Sequence, residues 1–479
     1  MTPDFAGRRV GVAGLGLSGR AAAAALAPLG AELVLADDAP GAPGAVAPAQ
    51  VAVEGLDLLV VSPGWPPTSP LLARARAAGV PIWSEVELAW RLRANPEAAW
   101  LAVTGTNGKT TVTQMLESIL RASGVRAGAA GNVGAPLVAA VADPAVEAFA
   151  VELSSFQLHH TYSMRPQAAA ILNLAPDHLD WHGSFEAYAA AKGRIYQGAR
   201  RALVFNSAAP ATRRLAEAAL GAGAAAPGAQ LVGFTLSAPR AGEVGVAGGW
   251  LADRAFYARG RRHARPLAPL DDLAHLAGPG GRLAPHTVAN ALAAAALALA
   301  AGLGGEAGAG GIGQGLRRFE AGAHRLETVA EVGGARYVDD SKATNAHAAA
   351  AALEAFAPGS VVWIAGGLAK GARFEDLAAR RADRLKAAVL IGRDRRPLAE
   401  ALAAAAPVVP VVEIADGPGV MARAVAQAAA LAGPGDAVLL APASASMDQF
   451  ASYAERGQAF RQAAEALARA AGGAAGVAR

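Results

Sequence analysis

Short apolar runs alternate along the chain with longer stretches in which apolar positions recur every three or four residues. The first pattern reads as buried strands and the second as helices lying on them. Strands are expected over 10–13, 32–36, 56–61, 100–103, 148–151, 168–172, 335–338, 360–365, 389–392 and 437–440. Between them, an alanine-rich helix is expected over 20–29. Another follows residue 108, with Val112, Met115, Leu116, Ile119 and Leu120 on one face. A third spans 288–301 and stops at Gly302, too short for the ~20 residues that cross a bilayer. Strands alternating with helices predict an α/β fold with parallel sheets.

The breaks in this pattern predict three domains, over 1–95, 96–321 and 322–479. The first is expected to be Rossmann-like. The second is expected to be a P-loop-type parallel sheet with a small β-rich part, and the third again Rossmann-like. A polar linker is expected at 91–96, and the glycine-rich stretch 302–315 precedes the third segment. A loosely patterned stretch over 208–285 holds short alternating runs at 231–236, 243–246 and 250–257 and reads as the β-rich excursion.

With 53% hydrophobic residues, the 479-residue chain has ample material for several cores. Its net charge of +4 comes from scattered arginines. The densest basic run, 259–265, has no interleaved aromatic and reads as a solvated loop, so nucleic acid is not expected as a partner. No cysteine is present, which excludes disulfides, thiolate metal sites and a cysteine nucleophile. The N-terminus leads directly into a strand with no apolar signal core. A cytoplasmic protein without membrane insertion is therefore expected.

Candidate chemistry sits where strands end. Thr104-Gly105-Thr106-Asn107-Gly108-Lys109-Thr110-Thr111 joins an apolar run to a helix. Glycines there let backbone N–H groups approach phosphate oxygens, while the lysine adds a point charge and the threonine a hydroxyl for Mg²⁺. The first glycine of the strict phosphate-loop pattern is replaced by Val103. Gly14, Gly16 and Gly19 form a second glycine loop, with Asp37 and Asp38 about twenty residues on. That loop suits NAD or the pyrophosphate of another nucleotide. Glu152 ends a strand, where an NTPase needs a carboxylate for Mg²⁺. Asp177, His178, Asp180 and His182 crowd together, and zinc is one reading of them. Asp339-Asp340-Ser341-Lys342-Ala343-Thr344-Asn345 follows a strand with unusual polar density.

These strings occur in one order: Gly105 to Thr110, Gly131-Asn132-Val133-Gly134, Glu152-Leu153-Ser154-Ser155-Phe156-Gln157, Asp177-His178, Lys192, His324-Arg325 with Glu327, and Asp340 to Asn345. In that order they resemble the Mur ligases of peptidoglycan synthesis over essentially the whole chain. Asn107 stands where the alanine-adding branch typically has His, and the Asp-Asn-Pro-Arg string of the diamino-acid branches is absent. The N-terminal glycine loop fits the glutamate-adding branch. The sequence departs from the family at Ala284-Pro285-His286-Thr287 and at Leu368.

The resemblance implies an ATP-dependent carboxylate–amine ligase. ATP activates the carboxylate of UDP-N-acetylmuramoyl-L-alanine as an acyl phosphate, and the amine of D-glutamate attacks it. By that resemblance Gly105, Thr106, Asn107, Gly108, Lys109, Thr110, Thr111, Asn290, Arg325 and Asp340 bind ATP. Lys109, Glu152, His178 and Lys192 are the catalytic set. Thr110, Glu152, His178 and a carbamylated Lys192 hold Mg²⁺, in two sites. Leu17, Ser18, Asp37, Ser62, Gly64 and Asn132 take the UDP substrate. Thr344, Lys370, Ser446, Met447 and Tyr453 take D-glutamate. Carbamylation requires a lowered lysine pKa, expected from nearby cations. A monomer is expected, with the third segment swinging on a hinge near 315–322. The competing readings are another amide ligase of this superfamily and, from a different class, a P-loop ATPase or kinase.

Overall fold

The computed structural model describes residues 4–38, 44–257, 263–278, 281, 283–302 and 306–477. Its apolar runs become three sheets. The first holds β1 (Arg9–Ala13), β2 (Glu32–Ala36), β3 (Leu58–Val61) and β4 (Ile82–Ser84), in the order β2-β1-β3-β4 and all parallel.

The second sheet has nine strands: β5 (Ala99–Thr104), β6 (Ala127–Gly131), β7 (Ala148–Glu152), β8 (Ala168–Ile171), β9 (Ala202–Asn206), β10 (Gln230–Phe234), β11 (Glu243–Ala247), β12 (Trp250–Asp253) and β13 (Arg265–Pro269). Their order is β13-β12-β11-β10-β9-β8-β5-β7-β6. The strands from β6 to β11 in that order are parallel, and β12 and β13 run antiparallel to their neighbours. The third sheet holds β14 (Glu327–Val332), β15 (Ala335–Asp339), β16 (Val361–Gly366), β17 (Leu385–Ile391), β18 (Val411–Glu413) and β19 (Ala437–Leu440), in the order β14-β15-β19-β16-β17-β18. Only β14 is antiparallel in it.

Contacts divide the chain into two compact units. One is Met1–Leu273 with Val288–Phe319 and contains the first two sheets; the other is Ala274–Thr287 with Glu320–Arg479 and contains the third.

Central strands are buried on both faces, as expected for parallel sheets covered by helices. The helix Lys109–Ala122 buries Val112, Met115, Leu116, Ile119 and Leu120, each at most 1% exposed. Each such side chain contributes about 1.5–3 kcal/mol by leaving water. Parallel strands deliver their C-terminal ends to one edge of a sheet, so the candidate loops gather there.

Three local expectations change. The alanine-rich helix begins at Leu17 rather than residue 20 and ends at Leu26, passing into a tight turn at Ala27-Pro28-Leu29. The runs at 231–236, 243–246 and 250–257 become β10, β11 and β12, the last ending at Asp253. They continue the central sheet rather than standing apart, and the same stretch holds a helix, Pro210–Gly221, begun by its proline. Part of the basic run, 259–262, lies outside the described residues; Arg265 from its end pairs with the buried Asp253 at 3.0 Å.

The glycine-rich stretch 302–315 does not act as a plain spacer. It carries the helix Glu306–Arg318, whose glycines allow close approach to the helix Lys109–Ala122. A Cβ on Gly315 would stand 2.6 Å from the backbone nitrogen of Ile119, and Ser118 Oγ donates to Gly315 O at 2.7 Å. Gly315, the first residue of the expected hinge region, is therefore held within a packed helix, and the boundary between units falls after Phe319.

Replacing Gly315 by Ala is expected to push these two helices apart and cost about 1–3 kcal/mol, read as a lower denaturation midpoint. An unchanged midpoint would contradict the close packing.

Candidate active site

The strand–loop–helix at Gly105 is shaped by partners distant in sequence. Thr104 ends β5 and its hydroxyl donates to Leu153 O at 2.7 Å. Asn107 N donates to Asn173 Oδ1 at 2.8 Å, and Asn173 Nδ2 returns a bond to Asn107 O at 3.0 Å. Thr106 Oγ1 lies 2.9 Å from Tyr188 OH and accepts from Ala175 N at 3.0 Å. Gly108 takes φ +84° at the helix N-terminus, a conformation glycine adopts without strain. A Cβ there would meet Asn290 Oδ1 at 2.6 Å, so Asn290 packs on the loop itself. Thr110 and Thr111 follow Lys109 in the first helical turn, where backbone N–H groups have no intrahelical acceptor and favour anions.

Two lysines converge on this loop. Lys109 Nζ donates to Gly105 O and Thr106 O, both at 3.0 Å. Lys192, 2% exposed on the helix Phe185–Gly193, donates to the same Gly105 O at 2.8 Å and to Thr104 Oγ1 at 3.2 Å. Burial holds the Lys192 amine well below the usual lysine range, and the Lys109 cation adds to the effect. Asp177 and Glu152 oppose it. Nearby charge was the expected cause; desolvation is the larger one, because the helix carries Lys192 under the loop rather than onto the surface.

Glu152 ends β7 and is 1% exposed. Asn132 Nδ2 donates to its Oε1 at 2.9 Å, and Asn132 N donates to its backbone oxygen at 2.9 Å. Gly131, at φ +111°, leaves no room for a Cβ beside Glu152 O. The other carboxylate oxygen, Oε2, is buried without a partner among the described residues. A buried carboxyl oxygen left without a partner in this way suits a hard divalent cation.

His178 stands at φ +52° before the short helix Leu179–His182, with its backbone N–H on Asp177 Oδ1 at 3.0 Å. Its ring meets Phe156 edge-on at 4.7 Å. Partial burial lowers its pKa; Asp177 and Asp180 resist, and Lys192 and Lys109 reinforce the shift. The uncharged imidazole favoured by this shift can accept a metal or a proton. His182 lies against Ser155 Oγ at 2.9 Å and stacks on Phe156, and burial pushes it down to about 4. Among the described residues no three His, Asp or Glu side chains converge as a metal cage, so the zinc reading of Asp177, His178, Asp180 and His182 is not carried forward.

In the first sheet, the carboxylate of Asp37 accepts from Leu15 N, which ties the end of β2 to the glycine loop. Ser62 Oγ donates to Gly14 O at 2.6 Å. A Cβ on Gly14 would meet Trp65 Nε1 at 2.7 Å, and one on Gly19 would collide with Gly14 O. Leu17 is 65% exposed at the helix start, beside Ser18, and Gly64 is exposed.

In the third sheet, Leu326 N donates to Asp340 Oδ1 at 3.2 Å, which places Arg325 and Asp340 side by side in the chain's path. Behind them His324 Nδ1 lies 2.6 Å from the fully buried Asp339. Thr344 lies in the loop before the helix Ala346–Leu353, which Asn345 caps through Ala348 N at 2.9 Å. Leu368 N donates to Ala445 O at 2.9 Å, joining the loop of Lys370 to that of Ser446 and Met447. Lys370 (φ +51°), Met447 and Tyr453 are exposed, while Ser446 is buried.

Sequence reasoning missed Asn173, Tyr188 and Arg456 as partners of these loops. A polar residue directly after a buried strand, as at Asn173, was the signal available for the first.

A family model described as Mur ligase middle domain matches residues 103–230, and one described as Mur ligase, glutamate ligase domain matches 324–444. The UDP-N-acetylmuramoylalanine–D-glutamate ligase of Streptomyces coelicolor is 50% identical over 98% of this chain and 100% of its own length. That of Thermobifida fusca is 51% identical over 97% of this chain and 100% of its own. Among solved structures, the UDP-N-acetylmuramate–alanine ligase MurC of Thermotoga maritima superposes with a TM-score of 0.56 at 16% identity, covering 96% of this chain and 99% of that one. The MurF ligase of Thermotoga maritima in complex with ADP gives 0.54 at 17% identity, covering 87% and 90%.

Replacing Asn173 by Ala removes both bonds to Asn107. The expected result is a KM for nucleotide up to about 30-fold higher, since the two bonds together contribute about 2 kcal/mol to holding the loop's shape. An unchanged KM would mean that the loop holds its shape without Asn173.

Proposed function

The chain belongs to the Mur ligase family, and on that premise we propose that it joins D-glutamate to UDP-N-acetylmuramoyl-L-alanine at the expense of ATP. It is an ATP-dependent carboxylate–amine ligase of peptidoglycan precursor synthesis, with the UDP-linked alanine, D-glutamate and ATP as substrates. The observation that carries the chemistry is the pairing of the Gly105 loop with the buried, half-satisfied carboxylate of Glu152. A nucleotide loop alone would serve a kinase or a motor equally well.

The reaction has a simple physical demand. A carboxylate is a poor electrophile, so its oxygen first attacks the γ-phosphoryl group, releasing ADP and forming an acyl phosphate. The neutral amine of D-glutamate then attacks the acyl carbon, and phosphate leaves. Positioning and charge neutralisation account for most of the catalysis in such transfers. We assign Gly105, Thr106, Asn107, Gly108, Lys109, Thr110 and Thr111 to the ATP phosphates. By the family resemblance, Asn290, which packs on Gly108, and also Arg325 and Asp340 are assigned to ATP. Lys109 supplies the neutralising cation. Asn132, already bonded to Glu152, and His178 face the substrate carboxylate. His178, favoured in its uncharged form, adds no repulsion to an approaching amine's proton.

Thr110, Glu152, His178 and Lys192 fit Mg²⁺, because Glu152 Oε2 lacks a partner and the set is mainly oxygen once Lys192 is carbamylated. Bound there, Mg²⁺ would offset phosphate charge during transfer. The neutral Lys192 amine adds to CO₂ and loses a proton, which converts a buried amine into a carboxylate-like anion beside Lys109.

Leu17, Ser18, Asp37, Ser62 and Gly64 are assigned to the UDP portion, and Thr344, Lys370, Ser446, Met447 and Tyr453 to D-glutamate. The corresponding segments are 1–95 for the UDP substrate, 96–321 for ATP, and 322–479 for the acceptor and for ATP closure. No helix among the described residues is long and apolar enough to cross a membrane. We assign the protein to the cytoplasm, as a monomer.

The direct test is phosphate release from ATP with Mg²⁺, adding the UDP-linked alanine and D-glutamate singly and together. Release only with both, and a product heavier by one glutamate residue, is expected. Release with neither substrate would point to a plain ATPase, and turnover only with another amino acid would point to a different branch of the family.

A further inference from the structure

The helix Tyr453–Val477 carries Arg456, whose side chain is among the largest fully buried ones in the protein at 1% exposure. Arginine is rarely buried without a carboxylate bonded to it, since removing its charge from water is costly. Here its donors go elsewhere. Nε donates to Ser341 Oγ at 3.0 Å, one terminal nitrogen to Ser341 O at 3.0 Å, and the other to Ser444 O at 3.1 Å. Asp339 and Asp448 lie close enough to favour its charge, but neither forms an ion pair with it among the described residues. Burial lowers its pKa to about 10, so it stays a cation at neutral pH.

It bonds groups in two loops and packs against a third. Ser341 follows β15, Ser444 follows β19, and Gly367 follows β16, where a Cβ would stand 3.3 Å from the guanidinium. Ser341 Oγ also donates to Tyr453 O at 2.7 Å, tying the helix start into the same knot. Thr344 lies three residues after Ser341, Lys370 three after Gly367, and Ser446 two after Ser444.

We propose that Arg456 is the positioning residue of the acceptor amino-acid pocket, setting the spacing of the loops after β15 and β19 and of Tyr453, packing against the loop after β16, and keeping a buried positive charge beneath them. This rests on the acceptor reading given above. A pocket built over such a charge favours a dicarboxylate acceptor over a neutral amino acid. Arg456 touches loops rather than substrate, so its removal should impair acceptor capture while sparing the steps that precede it.

Those steps can be read separately, because hydroxylamine intercepts an acyl phosphate to give a hydroxamate and phosphate without needing the acceptor pocket. The variants are Arg456→Met, Arg456→Lys and Ser341→Ala. Met at 456 is expected to raise the KM for D-glutamate by about 30-fold, as loss of charge-assisted hydrogen bonds would. Hydroxamate formation from UDP-N-acetylmuramoyl-L-alanine should stay within about twofold of wild type. Lys at 456, which keeps the charge and loses the fork, should fall between, and Ser341→Ala should raise the KM by about fivefold. An unchanged D-glutamate KM, or a parallel loss of hydroxamate, would overturn the proposal. If Arg456→Met does not fold, Ser341→Ala decides by the same two readings. Absence of hydroxamate from the wild-type enzyme would instead count against the ligase reading itself.

Discussion

One carbonyl oxygen, that of Gly105, receives hydrogen bonds from two lysines, and much of the candidate site follows from that crowding. Lys109 reaches it from the helix that the loop opens, and Lys192 from beneath at 2.8 Å. Two cations cannot share a buried oxygen cheaply, because their repulsion is poorly screened there. Burial lowers the Lys192 pKa and the Lys109 cation adds to the effect, so the neutral amine is favoured at Lys192. The same loss of charge makes Lys192 a nucleophile. The proposed addition of CO₂ at Lys192 would use this neutral amine and place an extra anion beside Lys109.

Around this pair the protein places acceptors and small residues so that little can shift. Glu152 is held on one oxygen by Asn132 and left open on the other, with Gly131 admitting no side chain between the strands. Asn107 and Asn173 clasp the loop from the neighbouring strand end, and Gly108 makes room for Asn290. The third sheet uses a buried guanidinium where the second uses amides. In both, loops at strand C-terminal ends are shaped by a partner beneath them rather than by their own sequence.

The glycine loops, the strand-end acid and the polar run at Asp339 were legible because each is local, lying within a few residues of one strand end. The architecture was legible for the same reason, since apolar runs and helical periodicity are local too. What escaped was set by distance along the chain. Asn173 lies 66 residues from Asn107, and Arg456 lies 115 from Ser341, and no spacing rule joins such pairs. The helix Glu306–Arg318 was hidden by its glycines, which disfavour helix in isolation but permit close packing on the helix Lys109–Ala122. The strands β10 to β12 read as a β-rich excursion because the pairing of β10 with β9, which joins them to the central sheet, is visible only in three dimensions.

The lowered pKa of the buried Lys192 bears most directly on the proposal that its amine takes up CO₂. The most direct measurement is carbon NMR of the protein equilibrated with ¹³C-bicarbonate, comparing wild type with Lys192→Ala. A carbamate resonance present in the first and absent in the second is the predicted result. No carbamate signal in the wild type at saturating bicarbonate, or an equal signal in both proteins, would contradict it.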